Sequence, residues 1–483
     1  MFDVIIIGGG VTGCTTARNL ARYNLKTALL EKASDICEGQ SKANTAIVHG
    51  GYDALPHTQK AKYNVLGNKM FDKVCSELDV PLKWNTSLVV SFSESGIPKL
   101  NELKRQGETN GVTGLSIIGK DEIKKREPNI SPNAYAALLV PNGGIVCPYE
   151  LTIANAENAA ENGVEFYRNA QVTKVEKTGE YWTVESGAGT FTAKAVVNCA
   201  GLYSDIINNM VSEDKFHILP RRGEYYIIDK SYAGTFHASI FQLPTKMGKG
   251  ILVTPTVDGT MLIGPTAEDI EDKDDTRTTS EGLDKTFKFG SATWEHIPMR
   301  DVITTFAGIR AHSDKNDFIL GEAPDAPMFF NAGGVESPGL TSSPAIGQYL
   351  AESVADRLGA KPNKHFNPIR KGIPKFRNMT DSERAKAIAS NPDYAKIICR
   401  CETVTEAEIR ESIRRPVGAR TIDGVKRRTR AGMGRCQAGF CTPATIRILC
   451  EELNLSPLEV TKFGGNSKML DSYLFNKGGE KNA

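Results

Sequence analysis

The stretch Asp3-Val-Ile-Ile-Ile-Gly8-Gly9-Gly10-Val11-Thr12-Gly13, near the start of the 483-residue chain, decides the fold. Its β-branched run predicts a buried strand, residues 14–23 predict a helix, and residues 26–31 predict a second strand. In such a βαβ unit the three spaced glycines permit a tight turn, close approach of backbone to a pyrophosphate, and tight helix packing. The sequence therefore predicts a Rossmann-like dinucleotide site, in which Glu31 can accept a hydrogen bond from a ribose hydroxyl.

The number of glycine loops bears on which dinucleotide is bound. A flavin reductase that also binds a nicotinamide needs a second loop of this kind in mid-chain. None follows a strand here, since Gly187-Ala188-Gly189 lacks both the third glycine and a helix. A single loop near the N-terminus favours bound FAD, with the substrate held by another domain.

The composition excludes several classes of protein. With 40% hydrophobic and 24% charged residues and a formal net charge of +2, the chain is neither disordered nor strongly attracted to nucleic acid. It has no run of about eighteen apolar residues that could span a bilayer, and it does not open like a secretory signal. We expect a cytoplasmic protein of two or three domains, which is compatible with peripheral contact at the inner face of a membrane.

Beyond the glycine loop, several motifs follow in order within about residues 1–360. They are Asn44-Thr45-Ala-Ile-Val-His49-Gly50-Gly51, Val197-Asn-Cys-Ala200-Gly201-Leu202, Pro220-Arg-Arg-Gly-Glu-Tyr225, Gly264-Pro-Thr-Ala267, Phe306-Ala-Gly-Ile-Arg310 and Gly333-Gly334-x-x-x-Pro338-Gly339-Leu340-Thr341. Together they resemble the FAD-dependent glycerol-3-phosphate, L-2-hydroxyglutarate and D-amino-acid oxidase type of flavoprotein. We expect contacts to FAD from residues of these loops: Gly8, Gly10, Thr12, Gly13, Glu31, Lys32, Ser41, Asn44, Thr45, Ala200, Gly201, Gly334, Gly339, Leu340 and Thr341.

Two residues are candidates for the chemistry. Arg310 ends an apolar stretch, and a buried arginine must pair either with a carboxylate of the fold or with an anionic substrate. The resemblance implies that Arg310 pairs with the anionic substrate. His49 resembles the family's flavin-contacting histidine and is the nearest candidate for accepting the proton of a substrate hydroxyl; the alternative is an ordinary hydrogen-bonded loop histidine.

Two further features carry charge-related expectations: a pair of adjacent arginines and the N-terminus of a predicted helix. Arg221 and Arg222 are adjacent, so they point in different directions if extended, and we expect at least one to be a solvated surface charge. A helix predicted to begin at Pro344 can stabilise the negative charge of reduced flavin with its N-terminus.

The C-terminal part of the chain contains a cluster of cysteines. Cys399-Arg-Cys401 and Cys436-x-x-x-x-Cys441 provide two close pairs of thiolates, which can hold zinc or an iron–sulfur cluster. The spacing alone does not choose between these metals. The unit resembles the [2Fe–2S] domain of the bacterioferritin-associated ferredoxin type, in the form fused to a glycerol-3-phosphate dehydrogenase flavin subunit, and this implies a cluster on all four cysteines. The basic residues around it form either a solvated face or a surface that steers an electron-transfer partner.

The expected fold is α/β, with a Rossmann-like FAD-binding domain, an inserted substrate domain with a mixed antiparallel sheet, and a small C-terminal iron–sulfur domain. The expected boundaries are 1–80, 146–215 and 300–360 for the FAD-binding domain, 81–145 and 216–299 for the substrate domain, 361–394 for a linker, 395–455 for the [2Fe–2S] domain and 456–483 for a tail.

These features together predict a dehydrogenase. FAD can accept two electrons as a hydride and a [2Fe–2S] centre passes electrons one at a time. We therefore expect the electrons to be relayed to an acceptor protein or quinone, and this arrangement is compatible with additional subunits. The expected substrate is a small anionic secondary alcohol, first of all sn-glycerol 3-phosphate. Asp53 stands where glycerol-3-phosphate enzymes carry an arginine, and residues 52–92 look more like the L-2-hydroxyglutarate enzymes, so that substrate is an alternative. An amine or amino acid is a third possible substrate. An alternative outside enzyme catalysis is a C-terminal docking module combined with a flavin that has a structural role.

Overall fold

The strands of the chain sort into two large sheets and two small ones. The structure, a computed structural model, describes residues 1–243 and 250–472. Its helices are α1 (Val11–Leu20), α2 (Gln59–Leu78), α3 (Ile97–Thr109), α4 (Lys120–Arg126), α5 (Pro148–Glu161), α6 (Ser204–Asn208), α7 (Ser280–Gly290), α8 (Gly339–Leu358), α9 (Asp381–Ser390), α10 (Glu406–Arg414), α11 (Ile422–Thr429) and α12 (Thr442–Leu453). None of these described helices is both long enough and apolar enough to cross a membrane.

The strands, in chain order, are β1 (Phe2–Ile7), β2 (Thr27–Leu30), β3 (Ile47–Val48), β4 (Leu82–Trp84), β5 (Ser87–Ser91), β6 (Ser116–Gly119), β7 (Ala136–Val140), β8 (Gly144–Val146), β9 (Glu165–Tyr167), β10 (Val172–Thr178), β11 (Tyr181–Ser186), β12 (Gly189–Asn198), β13 (Ile218–Ile228), β14 (Ser239–Gln242), β15 (Leu252–Pro255), β16 (Met261–Gly264), β17 (Glu268–Asp269), β18 (Val302–Ser313), β19 (Ile319–Ala323), β20 (Ala326–Gly333), β21 (Ile397–Cys399) and β22 (Val404–Thr405).

The first large sheet has a parallel centre, in the order β20-β12-β1-β2-β9. Strand β1 lies in the middle, and Val4, Ile5 and Ile6 are fully buried because helices cover one face and antiparallel strands pack against the other. Such doubly buried strands read as continuous apolar runs. The parallel order confirms the Rossmann-like expectation and brings the carboxyl ends of β1, β2 and β12 to one edge.

The second large sheet is mixed and mostly antiparallel, as expected. Its order is β17-β13-β16-β15-β14-β5-β7-β6, with β14 and β5 parallel. Strand β18 pairs with β13 along almost its whole length. Residues 302–313 therefore belong to this sheet, although they fall within the range 300–360 assigned to the FAD-binding segments.

Helix α8 begins earlier than predicted. We expected it to start at Pro344, but it starts at Gly339 and includes the proline in its second turn. A proline there leaves the carbonyl four residues earlier without a backbone donor. The Ser343 hydroxyl supplies that donor, since it bonds the Leu340 carbonyl over 2.9 Å. The helix N-terminus consequently lies at Gly339, closer to the other predicted cofactor residues.

The C-terminal residues form a separate small core. Helices α10, α11 and α12 and the hairpin of β21 and β22 enclose a hydrophobic cluster that contains Cys399 and Cys441. The stretch 361–394, expected to be a linker, contains α9. Of the expected tail, residues 473–483 lie outside the described residues.

Candidate active site

The glycine loop has the shape that a dinucleotide requires. Gly8 adopts φ +109°, and a Cβ atom at that position would overlap the carbonyl oxygen of Cys199, at the end of β12. A Cβ atom at Gly13 would overlap the Gly8 carbonyl oxygen. Only glycine fits these two positions, and the turn delivers the N-terminus of α1 to the carboxyl edge of the parallel sheet. The residues present therefore fit the pyrophosphate of FAD.

Residues 31–41, which we call the β2 loop, pack against this turn. The Gly9 N–H donates to Glu31 Oε2 over 2.6 Å, and the Val11 N–H donates to the Ser41 hydroxyl over 2.8 Å. Burial raises the pKa of Glu31, while the N–H groups of Gly9 and Ala33 oppose that shift. Glu31 and Ser41, two of the predicted FAD contacts, therefore bind the glycine turn itself, next to the place where the ribose and pyrophosphate of FAD would lie.

The predicted contact residues fall into two groups. At the carboxyl edge, Lys32 lies 3.8 Å from the ring centre of Tyr203, and the backbone of Gly201 approaches Gln40. This first group consists of Gly8, Gly10, Thr12, Gly13, Glu31, Lys32, Ser41, Ala200 and Gly201. The second lies where β3 meets α8 and consists of Asn44, Thr45, Gly334, Gly339, Leu340 and Thr341, with Thr341 joining the two elements.

His49 is fixed by α8 and α2. Its backbone N–H donates to the Thr341 hydroxyl over 2.8 Å, and its carbonyl oxygen accepts from the Asn64 and Asn68 amides. Its Nε2 lies 3.4 Å from the Ser337 hydroxyl. The imidazole is therefore held at the N-terminal end of α8 with a hydroxyl beside its outer nitrogen.

One face of the second sheet is pressed onto the segment before His49. Three cross-strand pairs of β13 and β18 share this face: Arg221 with Arg310, Gly223 with Gly308, and Tyr225 with Phe306. Tyr225 and Phe306 stack with ring centres 4.5 Å apart, and a Cβ atom at Gly308 would overlap the Ala43 carbonyl oxygen. The two glycines let Ala43 and Pro265 approach the sheet closely, between an aromatic pair and a pair of arginines.

The three arginines near this face differ in their partners. Arg222 is buried and bonds Asp275 and Glu268 at 2.9 and 3.3 Å, and Arg221 bonds Asp269 at 2.5 Å. Of the two adjacent arginines, Arg222 is buried, whereas Arg221 is partly exposed in its ion pair with Asp269. Arg310 Nη2 donates to the Thr266 carbonyl over 3.2 Å, and no carboxylate among residues 1–243 and 250–472 forms an ion pair with it. The described residues therefore supply no carboxylate for Arg310, and of its two expected partners the anionic substrate remains.

Sequence reasoning missed an acidic side chain beside this face of the sheet. Glu336 Oε1 lies 2.8 Å from both Lys60 Nζ and His312 Nδ1, and His312 follows Arg310 by two residues on the same face of β18. Although burial opposes it, the Lys60 ammonium holds the pKa of Glu336 below its ordinary value. Glu336 lies inside the Gly333–Thr341 motif, so the sequence already placed it near the predicted site. Its partners Lys60 and His312 come from distant segments, and no local pattern indicates them.

The four predicted cysteine ligands form two close pairs. Cys401 Sγ lies 3.6 Å from Cys436 Sγ, and the hydrogen bond from Cys441 lowers the pKa of Cys399 to about 6. A Cβ atom at Gly434 would overlap that of Cys401, so the glycine turn is pressed onto this cysteine. In the described part of the chain, no group of three or more candidate ligands has metal-site spacing. The donor set of four thiols in two adjacent pairs nevertheless suits iron–sulfur chemistry.

Most basic residues around the cysteines are ion-paired. Arg430 bonds Glu402 at 2.9 Å, Asp258 of the second sheet at 2.8 Å and the Tyr149 hydroxyl at 3.1 Å. Arg414 bonds Glu452 at 2.6 Å. Much of this charge is therefore compensated within the C-terminal domain or against the remainder of the chain, although Arg414 and Lys396 remain more than half exposed.

Comparison with known proteins agrees with this geometry. Residues 3–353 match the family described as FAD dependent oxidoreductase. The chain belongs to this family. Residues 397–451 match the BFD-like [2Fe-2S] binding domain, which confirms the expected C-terminal domain type. The α/β fold and the FAD-dependent class of enzyme are confirmed with it.

Relatives of this FAD-dependent oxidoreductase include whole-length matches. A glycerol 3-phosphate dehydrogenase from Caloramator mitchellensis is 49% identical over 465 residues, or 96% of each chain. An L-2-hydroxyglutarate dehydrogenase from Indibacter alkaliphilus is 30% identical, covering 74% of this chain and all of that protein. The FAD-bound structure of L-α-glycerophosphate oxidase from Mycoplasma pneumoniae superposes with a TM-score of 0.72 at 30% identity, over 77% of this chain and 99% of that one.

Proposed function

We propose that this oxidoreductase converts sn-glycerol 3-phosphate to dihydroxyacetone phosphate and passes the electrons to an acceptor protein or quinone through a [2Fe–2S] cluster. The observation that carries the proposal is the guanidinium of Arg310, which bonds the Thr266 backbone carbonyl and forms no ion pair with a described carboxylate. The 49% identity to a glycerol 3-phosphate dehydrogenase over 96% of both chains favours this substrate over the alternatives.

Arg310 binds the anionic end of the substrate. A guanidinium presents a planar fork that matches phosphate oxygens, and a charge-assisted hydrogen bond of this kind is stronger than a neutral one. The absence of a side chain at Gly223 lets the Arg310 guanidinium lie against the backbone of β13, close to Pro265 and Thr266. The stacked rings of Tyr225 and Phe306 form an apolar wall near Arg310 on the same face of the sheet.

His49 accepts the proton of the substrate hydroxyl. A neutral imidazole is a suitable base near neutral pH, and its Nε2 is the nitrogen beside Ser337. Backbone bonds to Thr341, Asn64 and Asn68 fix the position of the residue before substrate arrives. FAD, when bound by the glycine loop, supplies the acceptor for the hydride of the same carbon.

Cys399, Cys401, Cys436 and Cys441 would hold the cluster, which supplies a one-electron carrier. Cys399 and Cys441 are buried in the small core, whereas Cys401 is exposed. This asymmetry supports onward transfer at the Cys401 side, because an acceptor can approach that thiolate from solvent.

The proposal is tested by anaerobic reduction of the purified flavoprotein. Glycerol 3-phosphate should bleach the visible absorbance of the flavin faster than L-2-hydroxyglutarate, lactate or an amino acid at equal concentration. Faster bleaching by L-2-hydroxyglutarate would assign the alternative 2-hydroxy acid substrate, and bleaching by amino acids alone would overturn the alcohol dehydrogenase assignment.

A further inference from the structure

The β2 loop lies between the glycine loop and the C-terminal domain. On one side, Glu31 and Ser41 bind N–H groups of the glycine loop, and the Cys37 N–H donates to the Gly9 carbonyl over 2.9 Å. On the other side, the loop faces α11. The segment that shapes the dinucleotide site is therefore shared between two domains.

Two arginines of α11 bind the fully buried carboxylate of Asp35. Arg427 Nη2 donates to it over 2.9 Å, and Arg428 donates through Nη1 over 2.6 Å and Nη2 over 2.9 Å. Although burial opposes it, Arg428 and Arg427 lower the pKa of Asp35 to about 2. Arg427 also bonds Glu38 at 2.5 Å. Asp35 is thus neutralised by two cations of the C-terminal domain, while Glu38 is shared between Arg427 and Lys42, whose Nζ lies 2.7 Å from Glu38 Oε2.

The first domain offers Asp35 little compensation of its own. Among the described residues, its other cationic neighbour is Arg168, whose Nη1 lies 4.0 Å from Oδ1. That distance is too long for a hydrogen bond. A buried carboxylate that loses its partners is strongly unfavourable, so the conformation of the β2 loop depends on α11.

The loop also contains a strained residue between the two carboxylates. Cys37 adopts φ +62°, in the left-handed region that disfavours residues with a side chain. In this conformation its N–H donates to the Gly9 carbonyl. Arg427 binds Asp35 and Glu38 on both sides of Cys37, and so opposes relaxation of this turn.

We propose that Arg427 and Arg428 are positioning residues for FAD, through which the C-terminal domain sets the affinity of the first domain for its cofactor. By pairing with Asp35 and Glu38 they hold the β2 loop against the glycine loop. They also neutralise Asp35 and, together with Lys42, Glu38, on the loop next to the helix N-terminus that would receive the phosphates of FAD, where like charge is unfavourable.

Fluorescence titration of FAD-free, full-length protein with FAD tests this role without measuring activity. The double variant Arg427→Gln/Arg428→Gln should raise the Kd at least about tenfold, which is 1.4 kcal/mol. Adding Asp35→Asn should recover part of this loss, because it removes the unpaired carboxylate. Arg414→Gln is the matched control: it removes an arginine that pairs with Glu452 inside the C-terminal domain, and should leave the Kd unchanged.

If the double variant does not fold, Arg428→Lys replaces two oriented donors by a single point charge and should raise the Kd by a smaller factor. Circular dichroism identifies the folded variants. A folded double variant with the wild-type Kd would overturn the proposal. So would a weakened Kd that Asp35→Asn does not relieve, or one that Arg414→Gln shares, since either result indicates general destabilisation.

Discussion

Arg310 and Arg221 are paired across β18 and β13, yet within residues 1–243 and 250–472 only Arg221 has a carboxylate partner. Asp269 bonds Arg221 at 2.5 Å, while Arg310 contacts a backbone carbonyl. Two guanidiniums on neighbouring strands repel each other unless an anion lies between them. Under the proposed function both guanidiniums would bind the phosphate of the substrate, and Asp269 would be the counter-ion of Arg221 when no substrate is bound.

Arg310→Ala should lower kcat/KM for glycerol 3-phosphate roughly 30- to 150-fold, since a hydrogen bond to a charged group contributes about 2–3 kcal/mol. The effect should fall mainly on KM, while FAD stays bound. Steady-state kinetics and the flavin spectrum measure both quantities. Arg300→Ala, which removes an exposed arginine just before β18, is the control and should match the wild type. An unchanged KM in Arg310→Ala would remove Arg310 from the substrate site.

Asp269→Asn should lower KM for glycerol 3-phosphate severalfold, and Arg221→Gln should raise it. The first variant frees the Arg221 guanidinium for the phosphate, and the second removes this cation while leaving Arg310 in place. Because the pair is partly exposed, both effects should shrink at high salt. Equal KM values for both variants and wild type would show that Arg221 does not contact the substrate.

His49→Asn should reduce the rate of flavin reduction about 10²- to 10⁴-fold, the usual contribution of a general base. Ser337→Ala should cause a smaller loss, because it removes only the hydroxyl beside Nε2. Stopped-flow reduction under anaerobic conditions separates this step from substrate binding. A loss of bound FAD in His49→Asn, instead of slower reduction, would indicate a structural histidine.

Cys399→Ser should spare flavin reduction by substrate and block transfer to an external one-electron acceptor. The thiol is one of the buried pair of the small core, and its loss should also abolish iron and acid-labile sulfide. Cys450→Ser is the control, since Cys450 belongs to neither pair. If Cys399→Ser abolished flavin reduction as well, the two centres would not act in series.

The ion pairs of Asp35 should make unfolding pH-dependent at acidic pH. Its folded pKa of about 2 lies below the ordinary 3.8, so the unfolded chain binds more protons between these values and stability is lost as pH falls. The full contribution is about 2 kcal/mol, of which about half is lost between pH 5 and pH 3. Urea unfolding at these two pH values should show a smaller difference for Asp35→Asn than for wild type. The fully exposed Asp381 provides the control Asp381→Asn, which should keep the wild-type difference.

Local patterns were enough to predict several elements of this chain. The apolar run of β1, the spaced glycines and the acidic residue after β2 specify a βαβ unit, since each depends on neighbours within about thirty residues. The start of α8 was placed five residues late for a similar reason. Pro344 ordinarily indicates a first turn, and the compensating hydroxyl of Ser343 is not part of that rule.

Long-range pairing decided what the sequence left open. Whether Arg221, Arg222 or Arg310 stays without a carboxylate depends on the register of β13 with β17 and β18. Glu336 gains Lys60 and His312 only when α2, β18 and the turn before α8 converge.

The amino-acid sequence by itself determined the dinucleotide turn, the class of flavoprotein and the four cysteines of the C-terminal domain, because glycine conformation and thiol chemistry are properties of short segments. Tertiary structure alone decided that Asp35 on the β2 loop is neutralised by arginines almost 400 positions later. A buried charge takes whichever partner the packing brings within hydrogen-bond distance, and no local pattern specifies that partner.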